Sequence, residues 1–362
     1  VSEVLVKSPE GMLRLSVPAA AEWTCQIQRQ HWDLRAPPPV APEEDVRRHV
    51  VLQQALWANS GYWSSKIQRA SLNMLDVAGV VATEAIAEGE LLVRCPSTHF
   101  LSPGLVRQLE PEFATLAAVV GREAPVDNQD IDVFLVAMFL ADWLAKCTQE
   151  VPLTGLDGAR GSILSSFAKV LQCETFTAHP YRLAATDPVR FRSSLNPSCE
   201  ADLIERLAWG VMERYRILSS HKTPGYSAED FLRAWLLVIT RAFEVGGARS
   251  TLIPGLDSFN HDPSKQCAKV RLDSSGDMCL EATRSIEPGE QVFLEYGELS
   301  NPMLFRTYGF TMPPEALPVQ SCLILPNRVL RVLNKHLPAS HAGRLLQLDS
   351  SRLLPDLRGL LQ

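Results

Sequence analysis

The stretch LIPGLDSFNHDPSKQCAKVRLDSSGDMCLEATRSIEPGEQVFLEYGELSNPMLFRTYGF, residues 252–310, decides how this chain is read. Leu252-Ile253-Pro254 is an apolar strand edge, and Asp257-Ser258-Phe259-Asn260-His261-Asp262-Pro263 is a turn-prone polar run with one aromatic inside it. Cys267 to Leu272 and Met278 to Ala282 read as two short strands, joined by Asp273-Ser274-Ser275-Gly276-Asp277, which has the composition of a hairpin turn. The next strand, Gln291 to Tyr296, places Val292, Leu294 and Tyr296 on one face and Gln291, Phe293 and Glu295 on the other. Tyr296 therefore closes a strand just before Gly297.

This end of the chain echoes an earlier one. Ala282-Thr283-Arg284-Ser285-Ile286-Glu287-Pro288-Gly289-Glu290 repeats the pattern of Ala82-Thr83-Glu84-Ala85-Ile86-Ala87-Glu88-Gly89-Glu90, and an apolar strand follows each. In both, Ile packs inward, Gly supplies the permissive backbone, and Glu or Pro tightens the turn. Taken alone, the echo also fits two ordinary β-turns.

Composition narrows the function classes. With 362 residues, 46% hydrophobic and 21% charged, the chain is globular material with enough length for two or three cores. No apolar run approaches the roughly 18 residues of a membrane span, and the start lacks the basic-then-apolar order of a secretory signal. A first residue Val1 suggests trimming. Net charge is −6 and no basic block tracks a phosphate backbone, which speaks against nucleic acid as a direct partner. Cys25, Cys95, Cys147, Cys173, Cys199, Cys267, Cys279 and Cys322 are scattered without Cys-x-x-Cys spacing, so buried reduced thiols are expected and no metal is. Cytosol, nucleus or plastid would suit such thiols.

Organisation follows from shifts in pattern. Residues 1–45 form an N-terminal arm with the stiff connector Ala36-Pro37-Pro38-Pro39-Val40-Ala41-Pro42. An acidic start at Glu43, then Val46, Val50, Leu52 and Leu56, predicts a helix stopping at Ala58-Asn59-Ser60-Gly61. Residues 46–102 hold that helix and a first β-rich piece, and 103–240 turn helical. There Ile131, Phe134, Leu135, Met138, Phe139, Trp143 and Leu144 mark one wide apolar face for core packing. Further helices are predicted over Glu200 to Ser219 and Ala228 to Glu244. Residues 241–316 form a second β-rich piece, and 317–362 a short helical region with Pro326 to Leu337 as its helix.

In order and spacing, these features resemble a SET domain of the Rubisco large-subunit lysine methyltransferase group and the related actin-histidine methyltransferases. The resemblance covers roughly residues 50–325 and rests on Gly79-Val80-Val81-Ala82-Thr83 with the Gly89-Glu90 turn, Arg241-Ala242-Phe243, and Leu252-Ile253-Pro254 leading to Asn260-His261. Gly289-Glu290 through Tyr296-Gly297, Ser300-Asn301 and Tyr308-Gly309-Phe310 complete it. It implies an α+β fold of small curved β-sheets split by a helical insertion, with the Asn260 segment threaded against the final strand in a knot-like crossing. It also implies a shortened C-terminal substrate-docking domain.

The activity implied is transfer of a methyl group from S-adenosyl-L-methionine to a lysine of a non-histone protein, with no nucleic acid or membrane partner and a monomeric state. A protein-histidine acceptor, or a catalytically silent protein-binding module, are the alternatives. Such chemistry needs a positioned neutral amine in a dry channel and a group that orients it. Tyr296 is the catalytic candidate, as an orienting and polarising phenol, since an ordinary pKa of about 10 makes it a poor bulk base. By the same resemblance Asp76, Ala78, Gly79, Arg241, Asn260, His261 and Phe310 are cofactor-binding candidates. Arg241 would meet the cofactor carboxylate; an ordinary helix-end charge is its other reading. Tyr308 would wall the substrate channel, and Asp257 would orient substrate or simply cap its turn. Val77 stands where the family carries a glycine that lets backbone approach the ligand, which puts cofactor affinity in doubt.

Overall fold

The computed structural model describes residues 2–8, 11–17, 42–72, 77–124, 131–147, 156, 158–194, 199–313, 316, 321–323 and 348–349. They fall into two compact units: Val1–Trp32, His179–Trp209 and Glu298–Gln362 make the first, Asp33–Ala178 and Gly210–Gly297 the second. The units cut across the linear segments, because the helical insertion contributes its residues 179–209 to the first and the rest to the second.

The second unit begins with helix α1, Pro42–Ala58, whose first turn carries Glu43, Glu44 and Asp45 where a negative charge favours a helix N-terminus. Its buried stripe is Asp45, His49, Leu52, Ala55 and Leu56. Val50 is not part of that stripe: it is 42% exposed, because positions 45, 49, 52 and 56 share one side of a 3.6-residue repeat and 50 falls away from it. Short strands β3 (Tyr62–Trp63), β4 (Ile67–Leu72), β5 (Val77–Ala82) and β6 (Leu91–Cys95) follow. β4 and β5 form an antiparallel hairpin, Ile67 opposite Ala82 and Leu72 opposite Val77.

The insertion is helical, as expected. α2 (Pro103–Leu109), α3 (Pro111–Glu123), α4 (Ile131–Cys147), α5 (Gly158–Leu171), α6 (Pro180–Thr186), α7 (Pro188–Ser194), α8 (Cys199–His221) and α9 (Ala228–Arg241) run through it. α4 is buried continuously from Phe134 to Ala141 and again at Trp143 and Leu144, so it is a core helix rather than one with a single apolar face. α9 packs on it, with Phe231 meeting Phe134 edge-on at 5.6 Å. A capping box of Ser227 and Asp230 starts α9. It ends at Arg241, earlier than the predicted Glu244, because Phe243–Val245 (β7) is drawn into an antiparallel pair with Ala248–Thr251 (β8).

The second β-rich piece supplies β9 (Asn260–His261), β10 (Ala268–Leu272), β11 (Met278–Ala282) and β12 (Phe293–Leu294). β10 and β11 are the predicted hairpin, and Asp273 Oδ1 accepts from the amides of Ser275 and Asp277 across a turn whose Gly276 lies at φ 81°. The largest sheet runs β10-β11-β6-β3, so strands from both sides of the insertion share one ladder. The strand expected over Gln291 to Tyr296 is regular only at Phe293–Leu294, yet Val292 and Leu294 are buried and Glu295 is exposed, as its alternation requires. β12 lies parallel to β9, Phe293 opposite Asn260 and Leu294 opposite His261, which sets the Asn260 segment against the strand that leads to Tyr296, as the expected crossing requires.

The echoing segments bond to one another. Ile86 and Ile286 exchange backbone hydrogen bonds at 3.0 Å, Ala82 N–H reaches Glu290 O at 2.9 Å, and Ala282 N–H reaches Glu90 O at 3.0 Å. Gly89 N–H donates to Ala282 O and Gly289 N–H to Ala82 O, the two glycines at φ 80° and 85°. Those angles are costly for any residue with a Cβ. Both isoleucines are buried.

In the first unit, Ser2–Ser8 (β1) and Gly11–Val17 (β2) form an antiparallel hairpin. α10 (Asn301–Tyr308) packs against α6. His179 caps α6 by accepting from Tyr181 N–H at Nδ1, and the proton on its Nε2 bonds Thr307 O at 3.1 Å. Burial pushes the His179 pKa down to about 4. Ser321–Leu323 (β13) pairs antiparallel with Leu348–Asp349 (β14), so the described part of the region expected to be helical is stranded. Pairing between residues this far apart leaves no local periodicity to read. The helix predicted over Pro326 to Leu337 lies outside the described residues.

Candidate functional site

The loop that follows β8 is placed before its polar residues begin. Leu252 and Leu101 exchange backbone hydrogen bonds at 3.0 Å, tying the loop to the end of the first β-rich piece. At Gly255, φ is 88°, and a Cβ would lie 3.1 Å from the Trp63 ring and 3.3 Å from Leu56, so glycine is required there for both backbone and space. A short 3-10 turn, Leu256–Ser258, follows, and Phe259 stacks on Trp63 with ring centroids 5.9 Å apart.

Asp257 begins the polar run. Its carboxylate is fully buried and bonds Arg241 Nη1 at 2.8 Å, while the same nitrogen donates to the Asp257 carbonyl at 3.0 Å. Arg241 also pairs with Glu174. Burial alone would lower the Arg241 pKa, but the carboxylates of Glu174 and Asp257 hold it above its ordinary value. Arg241 is both the last residue of α9 and the clamp of this turn. Of the two readings of Asp257, the bond to Arg241 fits the turn: Oδ2 is spent on the guanidinium, and Oδ1 is shut from solvent without a hydrogen-bond partner.

Asn260 Nδ2 donates to Ala78 O at 3.1 Å, joining positions 182 residues apart. His261 Nδ1 accepts the Tyr296 backbone N–H at 3.0 Å, so the neutral ring carries its proton on Nε2. Burial lowers the His261 pKa, which favours that neutral form. The His261 and Tyr296 rings stack, centroids 5.1 Å apart. Tyr296 Oη donates to Phe259 O at 2.6 Å. With its one hydrogen committed there, the phenol oxygen offers only lone pairs to any further partner.

Ala78, Gly79, Arg241, Asp257, Asn260, His261 and Tyr296 thus all lie in the second unit; hydrogen bonds pair Asn260 with Ala78, Arg241 with Asp257 and Tyr296 with His261, and Gly79 is buried in β5 beside Ala78. Asp76 lies outside the described residues, and Val77 is described only as the first residue of β5. Tyr308 and Phe310 belong to the first unit. There Tyr308 ends α10, Gly309 follows at φ 82°, and the two aromatic rings lie 6.1 Å apart. Burial pushes the Tyr308 phenol up to about 12.

The sequence reading missed Glu174, Trp63 and Arg69. Arg69 Nη1 donates to Ser258 O at 2.9 Å. A signal for it existed: alternation in β4 puts Arg69 on the same face as buried Ile67, and a charge on an inward face marks a specific partner. Nothing local marks Glu174.

The acceptors left on this turn suit a cationic group. The Asn260 amide oxygen has no protein partner among the described residues, and Asp257 Oδ1 and Ser258 Oγ are buried without one. Acceptors grouped on one turn favour an ammonium or sulfonium.

Comparison with known proteins bears on this arrangement. A model of the SET domain family matches residues 77–297. Ribosomal lysine N-methyltransferase set11 of Schizosaccharomyces pombe is 31% identical over 143 residues, which is 38% of this chain and 36% of that protein. Ribosomal lysine N-methyltransferase 4 of the same organism is 46% identical over 61 residues, covering 17% of this chain and 13% of that one. The chain therefore spans about a third or less of the length of these relatives. Among solved structures, the SET domain of LSMT bound to lysine and AdoHcy superposes with a TM-score of 0.55 at 17% identity, over 76% of this chain and 59% of that one. Rubisco LSMT bound to sinefungin and monomethyllysine gives 0.52 at 15% identity, over 76% and 58%. At that identity the likeness is one of fold.

Proposed function

This chain belongs to the SET-domain family, and from that premise we propose that it is an S-adenosylmethionine-dependent protein-lysine N-methyltransferase acting on a non-histone protein. The observation that carries the proposal is the meeting, at one turn, of Tyr296 Oη on the Phe259 carbonyl and of Asn260 on Ala78. It joins an orienting phenol to both halves of a divided site.

S-adenosylmethionine, when bound, supplies an electrophilic methyl group on a sulfonium. Ala78, Gly79, Asn260 and His261 would hold it, with Arg241 bonded to the same turn; Asp76 is proposed with them on family resemblance. A lysine must shed a proton before its nitrogen can act as a nucleophile, and apolar surroundings favour the neutral amine. Phe259, whose carbonyl Tyr296 holds, and Val292 and Leu294 on the segment leading to Tyr296 are all buried and provide such surroundings. The Tyr296 oxygen, acting as acceptor, then orients an N–H of that amine and leaves its lone pair free to attack. The two Schizosaccharomyces pombe relatives are named for ribosomal lysine, which supports a ribosomal protein as acceptor.

The test is calorimetric titration of the full chain with S-adenosylmethionine, followed by transfer of labelled methyl groups to ribosomal proteins and mass spectrometry of the modified peptide. Binding and a methylated lysine are expected. Absence of binding overturns the enzyme reading in favour of a protein-binding module, and label on histidine overturns the acceptor.

A further inference from the structure

Three successive carbonyls of the site turn each accept from a different side chain. Arg241 reaches Asp257 O at 3.0 Å, Arg69 reaches Ser258 O at 2.9 Å, and Tyr296 reaches Phe259 O at 2.6 Å. Arg241 and Tyr296 already belong to the proposed site. Arg69 comes from β4, 189 residues before the carbonyl it holds.

Arg69 is 7% exposed, and a guanidinium so buried needs an anion to offset its lost hydration. That anion is Asp45 on α1, whose Oδ2 accepts from Arg69 Nε at 3.1 Å. Burial would raise the Asp45 pKa, but hydrogen bonding from His49 and the charge of Arg69 hold it well below the usual carboxylate range. α1 is itself fixed, since Arg48 on it donates to Lys169 O at 2.7 Å and α1 packs along α5. One edge of the rigid guanidinium fork is therefore bound to a carboxylate on a packed helix, and the other points at Ser258 O. A lysine, with a single nitrogen, cannot hold both acceptors in that geometry.

We propose that Arg69, oriented by Asp45, is a positioning residue that fixes the Ser258 carbonyl and thereby sets Phe259, Asn260 and His261 for the cofactor. Arg69 touches neither cofactor nor substrate; it acts through the turn. The proposal deepens the function given above and takes its ligand from it.

The test compares the full chain with Arg69→Leu, Arg69→Lys, Asp45→Asn and a control of similar stability loss in the insertion core, Phe134→Leu. Two quantities are read on each folded variant: amide exchange of peptides covering residues 256–262, and S-adenosylmethionine affinity by calorimetry. Arg69→Leu is expected to speed exchange of that segment, and to weaken affinity, by about tenfold each, the worth of one charged hydrogen bond. Arg69→Lys and Asp45→Asn should fall between it and the unsubstituted chain, and Phe134→Leu should change neither quantity. Exchange in Arg69→Leu that matches the unsubstituted chain or the control overturns the proposal. Faster exchange with undiminished affinity overturns its functional half. Faster exchange in a chain that binds no cofactor even without substitution leaves Arg69 as the turn's holder and removes the function assigned to the site. Should Arg69→Leu not fold, Arg69→Lys and Asp45→Asn carry the same two readings.

Discussion

The twin segments at residues 82–90 and 282–290 and the turn at residues 257–261 lie in one unit but are held by different kinds of bond. The twins grip each other through backbone: Ile86 with Ile286, Ala82 with Glu290, Ala282 with Glu90. Their side chains add two buried isoleucines and two surface ion pairs, Glu90 with Lys66 and Glu290 with Arg284. The site turn gains its fixity from side chains borrowed elsewhere: Arg241 from the end of α9, Arg69 from β4, Tyr296 from beyond β12. Backbone bonds survive most substitutions because every residue but proline carries the same donor and acceptor. A turn pinned by side chains can be released one substitution at a time. The first arrangement suits a scaffold; the second suits a site whose geometry must be set to fractions of an ångström.

The contrast can be broken most forcefully at Tyr296. Tyr296→Phe should lower methyl transfer by about a hundredfold or more, the usual worth of a positioned catalytic group, while costing only about 1 kcal/mol of stability. Initial rates and urea unfolding of the same preparation check both numbers. Transfer at the unsubstituted rate would sink the catalytic assignment.

Next comes the clamp. Arg241→Leu strands the buried Asp257 carboxylate and is expected to cost about 3–5 kcal/mol in denaturant unfolding, with cofactor affinity lost alongside. A loss under about 1 kcal/mol would mean that the pair contributes little to the turn.

Within the scaffold, Ile86→Ala and Ile286→Ala should each cost about 2–5 kcal/mol, because each empties a fully enclosed site facing the other twin. Equal losses, measured by chemical denaturation, and unchanged cofactor affinity are expected. A large inequality would show that the reciprocity of the backbone does not extend to packing.

The smallest effect separates the twins by their charges. Lys66 holds the Glu90 carboxyl, and Arg284 the Glu290 carboxyl, below its ordinary value. A depressed carboxylate stabilises the fold above its unfolded pKa of about 4.3 and loses that contribution as pH falls through its folded value. Glu290→Gln should therefore flatten the fall in stability below about pH 4.3, by about 0.5 kcal/mol at this exposed site. Unfolding midpoints taken between neutral pH and pH 3 would show it, and a steeper fall would reverse the sign assigned to the pair.

How much of this was legible depends on the range of each interaction. The Asp273–Asp277 hairpin, α1, α4, α8 and the start of α9 follow from turn residues and periodicity within a few positions. The twin turns were visible as an echo, yet two ordinary turns fitted the same letters, because reciprocity is a property of their pairing. Asn260, His261 and Tyr296 were found by family resemblance. Their bonds to Ala78, Tyr296 and Phe259 were not legible. Arg241 was singled out for a cofactor carboxylate, whereas its partners here, Asp257 and Glu174, stand 16 and 67 residues away.

The sequence by itself determined the local turns and helices, the inward isoleucines, the division of the β-strands by a helical insertion, and the residue types a methyl-transfer site would need. Only the tertiary structure decided that Arg69 and Asp45 support the site turn, that Asp257 is spent on Arg241, and that the two echoes close on each other. The reason is physical: periodicity and turn chemistry act over a few residues, whereas a buried charge or carbonyl takes whatever partner folding brings to it, and that partner can stand anywhere in the chain.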